Sequence, residues 1–167
     1  MKKVNTKKIA LMAMCIALAL ILSFVESQIP PLVAIPGVKA GLANIVVMFA
    51  LYRLGTKEAI GISLIRVFLV SVLFGNIMSL WYSIAGAVVS LTGMLLLKRC
   101  KAFSPLAVSV AGGVLHNLGQ IAMACILLET NILKYYAPVL VLSGTLAGIV
   151  IGTVAGIMIK RIDIKTE

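Results

Sequence analysis

The run Ala59-Ile-Gly-Ile-Ser-Leu-Ile-Arg66-Val-Phe-Leu-Val-Ser-Val-Leu-Phe74-Gly75-Asn76-Ile-Met-Ser-Leu-Trp-Tyr82-Ser-Ile-Ala-Gly86-Ala-Val-Val-Ser-Leu-Thr-Gly-Met-Leu-Leu-Leu97 carries a single charge, Arg66. A helix rising about 1.5 Å per residue needs about 20 apolar residues to cross a hydrocarbon core about 30 Å thick. The run is close to twice that length. It therefore reads as two helices folded back on each other, with the break at Gly75-Asn76, the residue pair in it that best favours a turn.

The same reading extends outward to six candidate spans, at 9–25, 40–52, 59–75, 79–97, 105–128 and 138–159. The second is too short to cross alone, and Pro30, Pro31, Pro36 and Gly37 prevent a regular helix before it. Composition agrees with a membrane class: 62% of residues are apolar, 12% are charged and the mean hydropathy is +1.15. Soluble domains average about 45–50% apolar and 25% charged. The expectation is one all-α integral membrane domain, a six-helix bundle with an irregular proline-rich loop between its first two helices.

Basic residues test the span count, because cytoplasmic loops are enriched in Lys and Arg. Lys2, Lys3, Lys7 and Lys8 precede the first span, Arg53 and Lys57 follow the second, Lys98, Arg99 and Lys101 follow the fourth, and Lys160, Arg161 and Lys165 follow the sixth. Only Lys39 and Lys134 fall on the other side. Both termini are thus expected in the cytoplasm of a bacterial cell, with the chain in its plasma membrane. The net charge of +10 reads as topology and forms no patch that would track a nucleic acid. Lysines before an apolar run also describe a signal peptide, but residues 9–25 exceed the usual apolar region of one and no clear small-x-small cleavage site follows.

Catalytic and metal chemistry finds few residues. The carboxylates are Glu26, Glu58, Glu129, Asp163 and Glu167, with no paired acidic cluster for magnesium, no glycine-rich phosphate loop and no serine elbow. Cys15, Cys100 and Cys125 share no ligand spacing, and the eight methionines fall on no common face. No metal, cofactor or self-sufficient enzyme is expected.

Polar groups at membrane depth are the better lead. An ionisable group there costs about 2.5–3.5 kcal/mol on insertion scales and commonly faces a protein interior or a functional path. Arg66 lies eight positions beyond Glu58, about 12 Å of helix rise. His116 and Gln120 share a helix face, with Asn117 beside them. Asn44 and Asn76 add hydrogen-bonding capacity. The stretch from Glu26 to Lys39 reads as a lid or plug. Glu26, Lys39, Glu129 and Lys134 could hold a polar ligand or form ion pairs with one another. Ala13 and Ala17, one turn apart, would let another helix approach closely, either within the chain or from a partner. Gly144, Gly148, Gly152 and Gly156 form a four-residue stripe expected to pack inside the bundle, against Gly112 and Gly113.

Taken together, Pro36-Gly-Val-Lys-Ala-Gly-Leu-Ala-Asn-Ile45, Arg66, Phe74-Gly75, Tyr82-Ser-Ile-Ala-Gly86 and His116-Asn-Leu-Gly-Gln120 resemble the Gx transporter family, also labelled heptaprenyl diphosphate synthase component I. The resemblance implies a bundle similar to the substrate-binding subunits of energy-coupling factor transporters, with Ala13 and Ala17 matching their Ala-x-x-x-Ala partner face. With the polar groups at depth, the expectation is uptake of a small molecule held by Arg66, His116, Gln120, Asn117, Asn44, Lys39 and Glu26, with energy from a coupling membrane protein carrying two ATP-hydrolysing subunits, since the sequence shows no nucleotide site. Two alternatives stay open. One is a noncatalytic membrane component of a heptaprenyl diphosphate synthase, and the other is a proton-coupled carrier in which His116 titrates.

Overall fold

A computed structural model describes residues 6–28, 41–100 and 102–162. The proline-rich stretch, with Lys39, lies outside the described residues. Six α-helices follow in order: α1 Thr6–Gln28, α2 Asn44–Arg53, α3 Thr56–Phe74, α4 Ile77–Arg99, α5 Pro105–Leu127 and α6 Ala137–Arg161. A 3-10 turn over Ile132–Tyr136, not anticipated from the sequence, leads into α6.

Local chemistry explains the breaks. Asn76 caps α4 reciprocally with Ser79: its Oδ1 accepts from Ser79 N at 2.8 Å, and Ser79 Oγ accepts from Asn76 N at 3.1 Å. Its side chain is therefore a helix cap and not part of a polar pocket. Ser104 caps α5 by accepting from Ala107 N at 3.2 Å, and Pro105 occupies the first turn, where its missing N–H costs nothing.

The helices close into a ring in the order α1, α3, α4, α5, α6, α2, and α2 also packs on α3. Val46 through Leu51 of α2 are all buried, so this short helix is enclosed on every side. Packing of α6 on α5 depends on missing side chains. A Cβ on Gly144 would stand 2.8 Å from Gly113 O, and one on Gly148 would stand 2.5 Å from Val110 Cα. The stripe is interior as expected at Gly144, Gly148 and Gly152, but Gly156 meets nothing within 4 Å. Gly112 faces Ser90 and Met94 of α4, not α6.

Polarity is distributed in the reverse of a soluble domain. Leu18, Ile21, Phe68, Val72, Leu142 and Leu146 are exposed, whereas Glu26, Arg66, Ser63, Ser90, Ser109 and Asn117 are buried. Soluble monomers seldom expose so extended an apolar surface. Among the described residues, four helical segments are long and apolar enough to cross a membrane: Thr6–Gln28, Ile77–Arg99, Pro105–Leu127 and Ile132–Arg161. The other two expected spans differ for stated reasons: α2 has 10 residues, and α3 carries Lys57, Glu58 and Arg66 within 19.

Lys8, Arg53 and Lys98 bind one end of the bundle together. Lys8 Nζ pairs with Glu58 at 2.5 Å, joining α1 to α3. Lys98 Nζ donates to Leu51 O at 2.5 Å and lies 5.0 Å from the centroid of the Tyr52 ring. Arg53 Nε donates to Ile159 O at 2.9 Å, and Nη2 donates to the same carbonyl. Lys98 and Arg53 thus meet the unpaired carbonyls at the C-terminal ends of α2 and α6, where a cation is favoured.

Candidate functional site

Because α2 is 10 residues long, about 15 Å of rise, it fills only part of the ring's length. A cavity of about 50 Å³ lies at its N-terminal end. Five helices line it: Ser23 and Glu26 from α1, Asn44 from α2, Arg66 with Val67 and Val70 from α3, Ser83 from α4, and His116 and Gln120 from α5.

Among the described residues, Glu26 and Arg66 are the buried charges, 9% and 8% exposed. Glu26 Oε1 accepts from Gly41 N at 2.5 Å. Gly41 has φ +74°, the left-handed region where a side chain is strained, and that geometry brings its N–H to the carboxylate. A Cβ there would also stand 3.1 Å from Asn44 Nδ2. Arg66 differs. Its Nε is buried without a partner, and among the described residues no hydrogen bond or ion pair reaches its guanidinium. Glu26 is the carboxylate whose charge acts on it.

The α5 pair is seated by Gly86 of α4. A Cβ at Gly86 would come 2.8 Å from Gln120 Cγ and 3.0 Å from His116 Cε1, while one at Gly119 would meet Ala85 O and Gly86 Cα at 2.9 Å. The close approach of α4 and α5 at these glycines sets His116 and Gln120 against the cavity. The Phe24 and Phe74 rings join α1 to α3 with centroids 5.4 Å apart.

Of the residues singled out by sequence, Glu26, Asn44, Arg66, His116 and Gln120 come together. Asn117 does not. Its Nδ2 donates to Leu140 O at 2.9 Å and Ser143 Oγ at 3.1 Å, so it joins α5 to α6 away from the cavity. One residue along a helix turns the side chain by about 100°, which separates it from His116. Lys39 lies outside the described residues. Glu129 and Lys134 are exposed and form no ion pair among the described residues. Sequence reading missed Ser23 and Ser83; the signal for Ser23 was its place one turn before Glu26, and for Ser83 its place three residues before Gly86.

Ala13 and Ala17 are exposed on α1, whose opposite face buries Cys15, Ala19, Ser23 and Glu26. The other described residues thus leave this small-residue face uncovered.

An all-helical bundle with an apolar exterior and a buried polar cavity defines a multi-pass membrane protein. The chain belongs to the family described as heptaprenyl diphosphate synthase component I, which is the Gx transporter family of the motifs above; the family model matches residues 15–158. No curated protein and no solved structure matches it.

Proposed function

We propose that this chain is the substrate-binding membrane subunit of a small-molecule uptake transporter of the energy-coupling factor type. The carrying observation is the cavity, in which Arg66, an expensive buried cation, has no hydrogen bond or close ion pair from the described residues. A purely structural arginine would be expected to find a protein acceptor, because unpaired buried charge is strongly destabilising. A ligand acceptor would relieve that cost.

In this reading Arg66, Glu26, Asn44, His116 and Gln120 bind the substrate, and the chain itself catalyses nothing. Energy comes from a coupling membrane protein and its ATPase subunits, engaged through the exposed Ala13 and Ala17 face of α1. Both termini lie in the cytoplasm, which puts the basic end inside and the cavity toward the outside of a bacterial plasma membrane.

The test is purification of the tagged chain from native membranes. Recovery of an ATPase module that is lost on Ala17→Trp, with the variant still monodisperse, supports the reading. Recovery of the chain without any ATPase overturns it. The family description supports a second reading, a membrane component of a heptaprenyl diphosphate synthase. Copurification of a soluble prenyl synthase whose product length changes with this chain would establish that reading instead.

A further inference from the structure

Glu26 and Arg66 face one cavity as opposite charges, and among the described residues they form no ion pair. Glu26 is held by the Gly41 N–H at 2.5 Å, and the Arg66 Nε has no partner. We propose that the cavity takes the head group of a small zwitterion, its anionic group on Arg66 and its ammonium group toward Glu26.

The argument is electrostatic and rests on the cavity being the ligand site proposed above. Two charges in a low-dielectric interior interact far more strongly than in water. A simple anion would pair with Arg66 but would lie beside the Glu26 carboxylate, which repels it. A simple amine would meet Glu26 and be repelled by Arg66. A molecule carrying both charges satisfies each wall and leaves the site neutral. Asn44, Gln120 and Ser83 supply neutral donors and acceptors for the remaining lone pairs and protons.

Size narrows the ligand portion. Pockets for whole drug-sized molecules run about 300–1,000 Å³. The cavity of about 50 Å³ accommodates a head group, not a complete vitamin or isoprenoid. The shared chemistry, an ammonium within a few bonds of an anion, occurs in free α-amino acids and in the ethanolamine phosphate head of a lipid.

The experiment is calorimetric titration of the delipidated full-length chain in detergent. The probes are the proteinogenic α-amino acids and glycerophosphoethanolamine. Each zwitterion that binds is compared with the analogue lacking its amine and the analogue lacking its acid, glycerophosphate and ethanolamine serving for the lipid head. The expected result is that one zwitterion binds and that loss of either charge weakens it at least about tenfold. Binding by an amino acid assigns a soluble substrate, and binding by glycerophosphoethanolamine alone assigns a lipid head group.

Arg66→Gln should abolish the advantage of the zwitterion over the amine, and Glu26→Gln its advantage over the acid. Wild-type binding in which the acid equals the zwitterion overturns the proposal, as does absence of binding by every probe. If either variant fails to fold, the wild-type comparison of analogues decides alone. Copurification with an ATPase module is independent of this titration. A chain that recovers the module and binds no zwitterion therefore refutes the present inference and leaves the transport reading standing.

Discussion

Gly41 and Glu26 join the start of α2 to α1 at the wall of the cavity: the Gly41 N–H donates to Glu26 Oε1 at 2.5 Å. With one oxygen committed to the backbone just before α2, the carboxylate is anchored on α1's side of the cavity, and among the described residues it does not close an ion pair with Arg66. A residue with a side chain at position 41 would be strained at φ +74° and would crowd Asn44. The backbone conformation of one glycine thereby supplies the N–H that the buried Glu26 carboxylate accepts.

Gly144→Ala and Gly156→Ala should differ in sign although both lie on the α6 stripe. The first puts a methyl 2.8 Å from Gly113 O and 2.9 Å from Gly113 C, backbone atoms that cannot rotate aside. Overpacking of this kind costs about 1–3 kcal/mol. The second meets nothing within 4 Å and should stabilise by up to about 1 kcal/mol through helix propensity. Thermal unfolding in one detergent checks both.

Asn117→Ala should lower stability without changing ligand affinity. It deletes the donor to Leu140 O and Ser143 Oγ at the α5 and α6 interface, a loss of about 1–3 kcal/mol. Gln120→Ala, one turn from the adjacent His116, should do the reverse, weakening binding with little loss of stability. Denaturation and titration on the same two preparations separate the roles.

Lys98→Met should loosen the basic end. It removes the bond to Leu51 O and the contact over the Tyr52 ring while keeping much of the aliphatic stem. A hydrogen bond from a charged group contributes about 1.5–3 kcal/mol. The expected result is a loss of that order in unfolding free energy and faster hydrogen exchange at the C-terminal end of α2.

Glu58 gives a pH signature at the same end. It sits in the first turn of α3, before the apolar run that begins at Ala59. The Lys8 hydrogen bond, the largest cause, holds its carboxyl below the ordinary 4.5 despite some opposing desolvation. A carboxyl whose folded pKa is depressed contributes stability that is complete above its unfolded value and is lost as pH falls through the lower, folded one. Stability should therefore decline below about pH 4.5, and Glu58→Gln should flatten that part of the curve. Unfolding measured from pH 6 to pH 3 tests the sign.

Helix ends were legible because their chemistry is local. The Gly75-Asn76 turn signal and the apolar runs place the expected boundaries at 79–97 and 105–128 close to Ile77–Arg99 and Pro105–Leu127, although the cap that Asn76 forms was not read from the sequence. The cavity was legible in part. Arg66, His116 and Gln120 stand out in the sequence because apolar surroundings make polar groups costly. Asn117 stands out equally and belongs elsewhere, since its role depends on which neighbour α5 turns toward it. Gly86 and Gly119 could not be assigned at all without knowing that their helices touch.

The sequence by itself determined the helical, apolar class and the number of helices. Hydropathy, capping and charge act along the chain and need no partner. The tertiary structure alone decided that Glu26, Asn44, Arg66, His116 and Gln120 share one cavity, that α2 is enclosed by the other helices, and that Arg53 and Lys98 hold the C-terminal ends of α6 and α2. Those outcomes depend on the rotation and depth of each helix against its neighbours. That choice is made by packing, where a missing Cβ at Gly86, Gly113 or Gly144 lets backbones meet that any larger residue would hold apart.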